Sequence, residues 1–140
     1  MPQAPLDRFT RSSDADYEAA LEHHLSLAEG SPLQIFAYRS LIWNAGFEVA
    51  ERTNGMALGW RLAFGIAVIG ARGSPEKPGH MLTLAPGGRS RGVLLGVADD
   101  KRKEALSALV RREYPYREFM SQTRRIQAAT SDGVVPALAF

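Results

Sequence analysis

Glu113 is the residue of this sequence best suited to proton-transfer chemistry. It follows Leu106 by seven residues and Val110 by three, so a regular helix places all three on one stripe. Desolvation favours the protonated form of a carboxylate, which makes a glutamate on an apolar stripe a candidate general base. The neighbouring Arg111 and Arg112 oppose that effect. The alternative is a frayed last turn that leaves Glu113 in solvent, and periodicity alone does not decide between the two.

Metal and cofactor chemistry find little support in the remaining residues. The three histidines are His23, His24 and His80. The first two are adjacent on a predicted helix and point about 100° apart, so they cannot hold one ion together and are expected at the surface. The chain has no cysteine, which excludes thiolate ligands and disulfides, and its glycines do not form a phosphate-binding motif. We therefore expect no metal and no cofactor.

A basic cluster near the second predicted helix offers a nucleic-acid hypothesis. Its cations are Lys101, Arg102, Lys103, Arg111, Arg112, Arg117, Arg124 and Arg125, and its aromatic residues are Tyr114, Tyr116 and Phe119. Acidic residues are interspersed among them, and the net charge of the whole chain is only +2. We favour a solvated helix face and expect no nucleic-acid partner.

Length and composition fit a single soluble domain, since 140 residues are 45% hydrophobic and 23% charged. The longest apolar run, residues 56–70, is interrupted by Arg61 and is shorter than the roughly 20 residues of a membrane span. The N-terminus lacks a basic segment followed by an apolar stretch, as a secretory signal would have. These features predict a cytoplasmic protein without a membrane partner.

The elements that position Glu113 follow from local signals. Residues 1–12 are expected to be a loose leader, and Ser13 with Asp16 predicts a capping box for a helix of about four turns. LQIFAY (33–38) is expected to be a buried strand that ends in a loop at Arg39 and Ser40.

Glycine and proline divide the rest of the chain. Residues 55–69 favour bent or bulged strands, and RGSPEKPG (72–79) is expected to be a loop. Residues 81–85 and 92–98 are predicted as two strands around a Gly-Gly turn. Asp99 and Asp100 are expected to cap a helix that reaches Glu113, and SDG (131–133) predicts a terminal hairpin. The fold class is therefore α+β with a curved sheet or barrel.

Four blocks of sequence between residues 33 and 140 resemble one known family. The blocks are FAYRSLIWNAGF (36–47), GWRLAF (59–64), RGSPEKPG (72–79) followed by SRGVLLGV (90–97), and LVRREY (109–114). They are similar, in the same order, to segments of the ChaC family of γ-glutamylcyclotransferases. The preceding helix resembles the N-terminal extension of bacterial members.

The resemblance implies a γ-glutamylcyclotransferase-like mixed β-barrel with flanking helices. It also implies a cofactor-free reaction in which glutathione, the substrate, gives 5-oxoproline and cysteinylglycine. Glu113 matches the family's catalytic glutamate. The loop expected to surround the γ-glutamyl group corresponds to Tyr38, Arg39, Ser40 and Leu41. The corresponding domain boundaries are 1–30 for the leader and helix and 31–140 for the γ-glutamylcyclotransferase-like domain.

The chain departs from the family pattern at several points. Arg39 replaces a loop glycine, and we predict that its side chain obstructs the γ-glutamyl pocket and adopts strained backbone angles. Pairing of Arg39 with a substrate carboxylate is the alternative. GIAVIGA (65–71) is apolar where the family has polar residues, and the C-terminal part is predicted to be shortened. A divergent, weakly active or inactive γ-glutamyl-binding protein of the same fold is therefore the second functional hypothesis.

Overall fold

The computed structural model describes residues 10–64, 82–117 and 123–140 as a mixed α+β structure. Its helices are α1 (Asp14–Leu27) and α2 (Arg102–Glu113). Its strands are β1 (Leu33–Ala37), β2 (Glu51–Phe64), β3 (Leu82–Val97), β4 (Arg124–Thr130) and β5 (Gly133–Ala139). Short 3-10 turns occupy Ser40–Ile42 and Asp99–Lys101.

The five strands close into a barrel in the order β1, β3, β2, β4, β5. Neighbouring strands are antiparallel except for β1 and β5, which pair in parallel through Ile35 and Leu138. Strand β1 is buried on both faces because its alternate side chains enter two different cores. Phe36 lies in the cluster with Ala57 and Ile126, whereas Ile35 lies in the cluster that joins the sheet to the two helices.

Several local predictions are confirmed. The Ser13 and Asp16 capping box is present at the start of α1, and LQIFA forms β1. The predicted C-terminal hairpin is present, but Ser131 and Asp132 form its turn, because Gly133 already pairs with Thr130 as the first residue of β5. The predicted RGSPEKPG loop and the segment 65–71 lie outside the described residues.

The predicted Gly-Gly turn between two strands is wrong. Strand β3 runs without interruption from Leu82 to Val97 and pairs with β2 on both sides of the glycines. Gly87 and Gly88 lie opposite Gly59, and all three have positive φ angles. The glycines therefore form a β-bulge within a long hairpin, because positive φ serves a bulge as well as a turn.

Two further predictions for the ends of elements differ from the structure, and the second of them is tested only at residues 10–12. Asp99 and Asp100 do not cap α2, because a 3-10 turn satisfies the Lys101 N–H through the carbonyl of Ala98, and the Asp99 carboxylate accepts a hydrogen bond from Arg102 instead. The predicted loose leader is fixed at residues 10–12, where the Ser12 N–H donates to the carbonyl of Pro115 (2.9 Å). Residues 10–12, which precede α1, thus form hydrogen bonds with the residues that follow α2.

Substitution of Gly92 by alanine should destabilise the barrel by about 3 kcal/mol through overpacking. A Cβ atom at Gly92 would lie 2.5 Å from Cζ of the fully buried Phe36 and 2.6 Å from the main-chain oxygen of Ala37. Gly96 on the same strand is the matched control, since its Cβ would lie 3.5 Å from its nearest neighbours. Denaturant midpoints of G92A and G96A test the difference, and equal midpoints would contradict it.

Candidate functional site

Glu113 occupies the last position of α2, and its side chain is only 3% exposed. The helix buries Leu106, Leu109 and Val110 against the barrel, so the residue one turn further lies on the same covered stripe. Of the two arrangements that periodicity left open, the buried carboxylate is therefore the one observed. A carboxylate in this position is shielded from bulk water.

The loop after β1 supplies the direct partner of Glu113. Nη2 of Arg39 donates to Oε1 of Glu113 at 2.7 Å and to the main-chain oxygen of Phe140 at 3.1 Å. The hydroxyl group of Tyr38 donates to the same Phe140 oxygen at 2.7 Å. The guanidinium carbon of Arg39 lies 5.5 Å from the centre of the Tyr38 ring. The structure thus brings Tyr38, Arg39 and Glu113 into one cluster around the end of β5.

The cation of this cluster is the guanidinium group of Arg39, whose side chain is only 13% exposed. Burial alone would lower the pKa of Arg39, but the negative charge of Glu113 and the Tyr38 side chain together raise that pKa above its ordinary value. Nη1 and Nε of Arg39 are buried and have no hydrogen-bond partner among the described residues. These two nitrogens carry three N–H groups that have no acceptor among the described residues.

The backbone of Arg39 does not carry the strain predicted for an arginine at a glycine position. Every residue with a positive φ in the described part of the chain is a glycine. The N–H of Ile42 donates to the carbonyl of Arg39 at 2.9 Å, which closes an ordinary 3-10 turn. Any cost of replacing glycine by arginine here lies in the volume and charge of the side chain.

Ser40 and Leu41 follow in the same turn, but they are placed differently from Tyr38 and Arg39. The Leu41 side chain is 1% exposed and belongs to the core between sheet and helices. A ligand at the loop would therefore meet the main chain of Leu41, while the Ser40 side chain lies outside the described part of the structure.

A second polar cluster lies behind Glu113, and sequence patterns gave no sign of it. His24 is fully buried, so its predicted surface position is wrong. Nδ1 of His24 lies 2.6 Å from the Ala20 carbonyl, and Nε2 lies 2.6 Å from the Thr123 hydroxyl, which also bonds to the hydroxyl of Tyr114. Both ring nitrogens are satisfied, which explains how an imidazole is tolerated in the core. Burial raises the pKa of Tyr114 to about 12.

Stability should decrease when the pH falls below about 6.5, the ordinary pKa of histidine. Burial lowers the pKa of His24, so the unfolded chain takes up a proton there at a higher pH than the folded chain does. Unfolding free energies between about pH 7.5 and pH 5.5 measure this slope. H24Q should reduce the slope, and the exposed neighbour variant H23Q should retain it. An unchanged slope in H24Q would contradict the assignment.

The basic cluster is largely satisfied within the chain. Arg102 donates to the carbonyls of Ala28 and Ser31, and Arg111 and Arg117 form ion pairs with carboxylates of α1. Tyr114 and Tyr116 are buried, and Phe119 lies outside the described residues. These cations of the cluster are therefore paired with acceptors on other parts of the fold.

Residues 10–64, 82–117 and 123–140 contain neither a metal-binding cluster nor a membrane-spanning helix. No group of three or more histidine, aspartate or glutamate side chains there is arranged to hold a metal ion, and His80 lies in the part not described. No helix in these ranges has the length and apolar character to cross a bilayer. The arrangement that stands out chemically is therefore the shielded Glu113 carboxylate, which can accept and return a proton beside a main-chain turn.

Comparison with known proteins gives a consistent result. A profile of the ChaC-like protein family matches residues 33–140. The glutathione-specific gamma-glutamylcyclotransferase of Escherichia coli (strain K12) is 38% identical over 82 residues, which cover 59% of this chain and 36% of that protein. Gamma-glutamylcyclotransferase 2-1 of Arabidopsis thaliana is 38% identical over 91 residues, which cover 60% of this chain and 41% of the relative. The chain thus spans less than half the length of these relatives.

Proposed function

The chain belongs to the ChaC-like protein family, and we propose that it acts as a γ-glutamylcyclotransferase with glutathione as its substrate. The observation that carries this proposal is the shielded carboxylate of Glu113, held at the end of α2 beside the loop that follows β1. The names of the bacterial and plant relatives support the reaction type. The bacterial name supports glutathione.

The proposed reaction is an intramolecular aminolysis that needs no cofactor. The α-amino nitrogen of the γ-glutamyl group attacks the γ-carbonyl carbon, and a new C–N bond closes the five-membered ring. The bond from that carbon to the cysteinyl nitrogen then breaks. One proton leaves the attacking amine and one reaches the departing nitrogen, so 5-oxoproline and cysteinylglycine form without any net oxidation or hydrolysis.

Glu113 is proposed as the group that moves this proton. A carboxylate that first accepts the proton of the amine and then returns it to the leaving nitrogen serves as base and acid in turn. The shielded position of Glu113 suits this role, because proton transfer in a dry site avoids competition from bulk water. Arg39 must release Oε1 of Glu113, or share it, before the amine can reach that oxygen.

The loop after β1 is proposed to bind the γ-glutamyl group. Tyr38 and Arg39 supply a hydroxyl group and a cation, whereas Ser40 and Leu41 supply main-chain N–H groups at the start of a 3-10 turn. Main-chain donors of this kind stabilise a carboxylate or the oxyanion that develops on the attacked carbonyl. The loop and Glu113 would thus hold the two ends of the reacting group.

The direct test is an assay in which the purified protein is incubated with glutathione and the 5-oxoproline released is measured by chromatography. Turnover of glutathione with cysteinylglycine in equal amount would support the proposal, and absence of 5-oxoproline at millimolar glutathione would contradict it. A parallel assay with γ-glutamylcysteine and γ-glutamylalanine measures the preference for glutathione. A higher kcat/KM for either dipeptide would support the proposed reaction but contradict glutathione as the preferred substrate.

A second candidate function is non-catalytic binding of γ-glutamyl compounds. The ion pair between Arg39 and Glu113 favours it, because this contact occupies the carboxylate that catalysis requires. Calorimetry with glutathione separates the two functions. Heat of binding without 5-oxoproline release would support a binding protein, whereas release at a rate that Glu113 controls would support the enzyme.

A further inference from the structure

The N-terminal segment, residues 10–27, contacts the end of α2 that carries Glu113. This segment lies outside the range 33–140 that the family profile matches. His24 of α1 hydrogen-bonds to Thr123, and Thr123 hydrogen-bonds to Tyr114, the residue directly after Glu113. Three buried side chains, from α1, from the residue just before β4 and from the residue just after α2, therefore form one continuous chain of hydrogen bonds.

The direction of these hydrogen bonds follows from the chemistry of the groups. The Ala20 carbonyl can only accept, so Nδ1 of His24 carries a proton and donates to it. In a neutral imidazole Nε2 then accepts from the Thr123 hydroxyl, whose oxygen in turn accepts from the Tyr114 hydroxyl. The proton on each hydroxyl thus has one defined acceptor, which fixes the orientation of the Tyr114 ring.

The main chain beyond Glu113 is held by the same N-terminal segment. The hydroxyl of Ser12 donates to the Tyr114 carbonyl at 2.9 Å, and the Ser12 N–H donates to the Pro115 carbonyl at 2.9 Å. The N–H of Arg117 donates to the carbonyl of Thr10 at 3.0 Å. Without residues 10–12, these two carbonyls and one N–H at the end of α2 would lose their partners.

We propose that His24 and Thr123 are positioning residues for Glu113, and that the N-terminal segment is part of the catalytic unit rather than a separate leader. The carboxylate needs an accurate position because proton transfer depends on short donor–acceptor distances. Its helix ends at Glu113, and the last turn is restrained by Tyr114 and Ser12. This inference rests on the proposed function for its catalytic consequence, but not for its structural part.

The catalytic test cuts the chain of hydrogen bonds with isosteric variants. T123V and Y114F should each lower kcat for glutathione about tenfold, within the range expected for misplaced catalytic groups, and leave KM within about twofold. The double variant should lose little more than either single variant, because both remove the same linkage. T123S keeps the hydroxyl group and should restore kcat to within about twofold of the parent.

Two outcomes of this test would overturn the proposal. The first is an unchanged kcat in T123V, and the second is an equal loss in T123V and T123S, which would indicate packing rather than hydrogen bonding. T130V is the matched control, since it removes a threonine hydroxyl at the far end of β4 where the Thr130 bond to the Gly133 carbonyl is exposed. Its kcat should equal that of the parent.

A measurement without substrate separates this proposal from the proposed function. The N–H of Tyr114 donates to the Val110 carbonyl at 3.0 Å in the last turn of α2. Its hydrogen exchange should be at least about tenfold faster in T123V and unchanged in T123S and T130V. Unchanged exchange in T123V would overturn the positioning role even in an active protein. If exchange is faster in T123V but the parent protein releases no 5-oxoproline, the structural role of Thr123 is supported and the proposed enzymatic activity is contradicted.

Discussion

Glu113→Gln should lower the rate of 5-oxoproline release from glutathione by at least about 100-fold, the lower end of what a general acid–base group contributes. Glutamine keeps the size and planarity of the side chain and can still accept a hydrogen bond from Nη2 of Arg39. It cannot take up the proton of the attacking amine. KM should change much less than kcat, because the substituted group acts on the reacting atoms and not on the rest of the substrate.

The variant also removes one charge from a shielded ion pair, so its stability must be measured beside its activity. Loss of the negative partner leaves the Arg39 cation without its counter-charge, and some loss of unfolding free energy is expected. Glu104→Gln is the matched control on the same helix, since the Glu104 side chain is 75% exposed and its ion pair with Lys101 is long at 3.8 Å. E104Q should retain both activity and stability. A folded E113Q with parental turnover would remove Glu113 from the mechanism.

The burial of Glu113 could be predicted in part from the sequence. Helical spacing placed it on the stripe of Leu106 and Val110, and that stripe is buried. Periodicity cannot tell whether the last turn of a helix frays, because that depends on contacts from outside the helix. Here those contacts come from Arg39, Ser12 and the chain after Tyr114. Pairs between distant residues of this kind leave no local pattern.

The errors in the fold have the same origin. A Gly-Gly pair between two predicted strands is typical of a hairpin turn, yet Gly87 and Gly88 form a bulge because β2 continues alongside them. His24 was expected at the surface once a metal site shared with the adjacent His23 had been excluded. It is buried because Thr123, almost a hundred residues later, provides a hydroxyl group that donates to Nε2 of its ring. In both cases a tertiary partner decides between two structures that the local sequence allows equally.

Arg39→Gly should raise glutathione turnover by about tenfold, equivalent to about 1.4 kcal/mol in the activation free energy, or create turnover where the parent has none. The Arg39 side chain occupies the space between the loop and Glu113, and its Nη2 engages Oε1 of the carboxylate that must accept the proton. Glycine is the residue that the resemblance to the ChaC family implies at this position, and it would free the carboxylate. The measurement is a paired assay of 5-oxoproline release by parent and variant over a range of glutathione concentrations.

The same substitution should lower stability, since removal of one partner of a shielded ion pair costs about 3 kcal/mol or more. Activity is therefore compared at a temperature where both proteins are folded. Arg39→Lys is the matched control, because it keeps a cation of similar reach beside Glu113 and should leave turnover near the parental value. The opposite result would come from the N–H donors on Nε and Nη1 of Arg39, which have no partner among the described residues. If the parent is active and R39G shows a higher KM without a gain in kcat, those donors bind a carboxylate of the substrate, and Arg39 is a ligand rather than an obstruction.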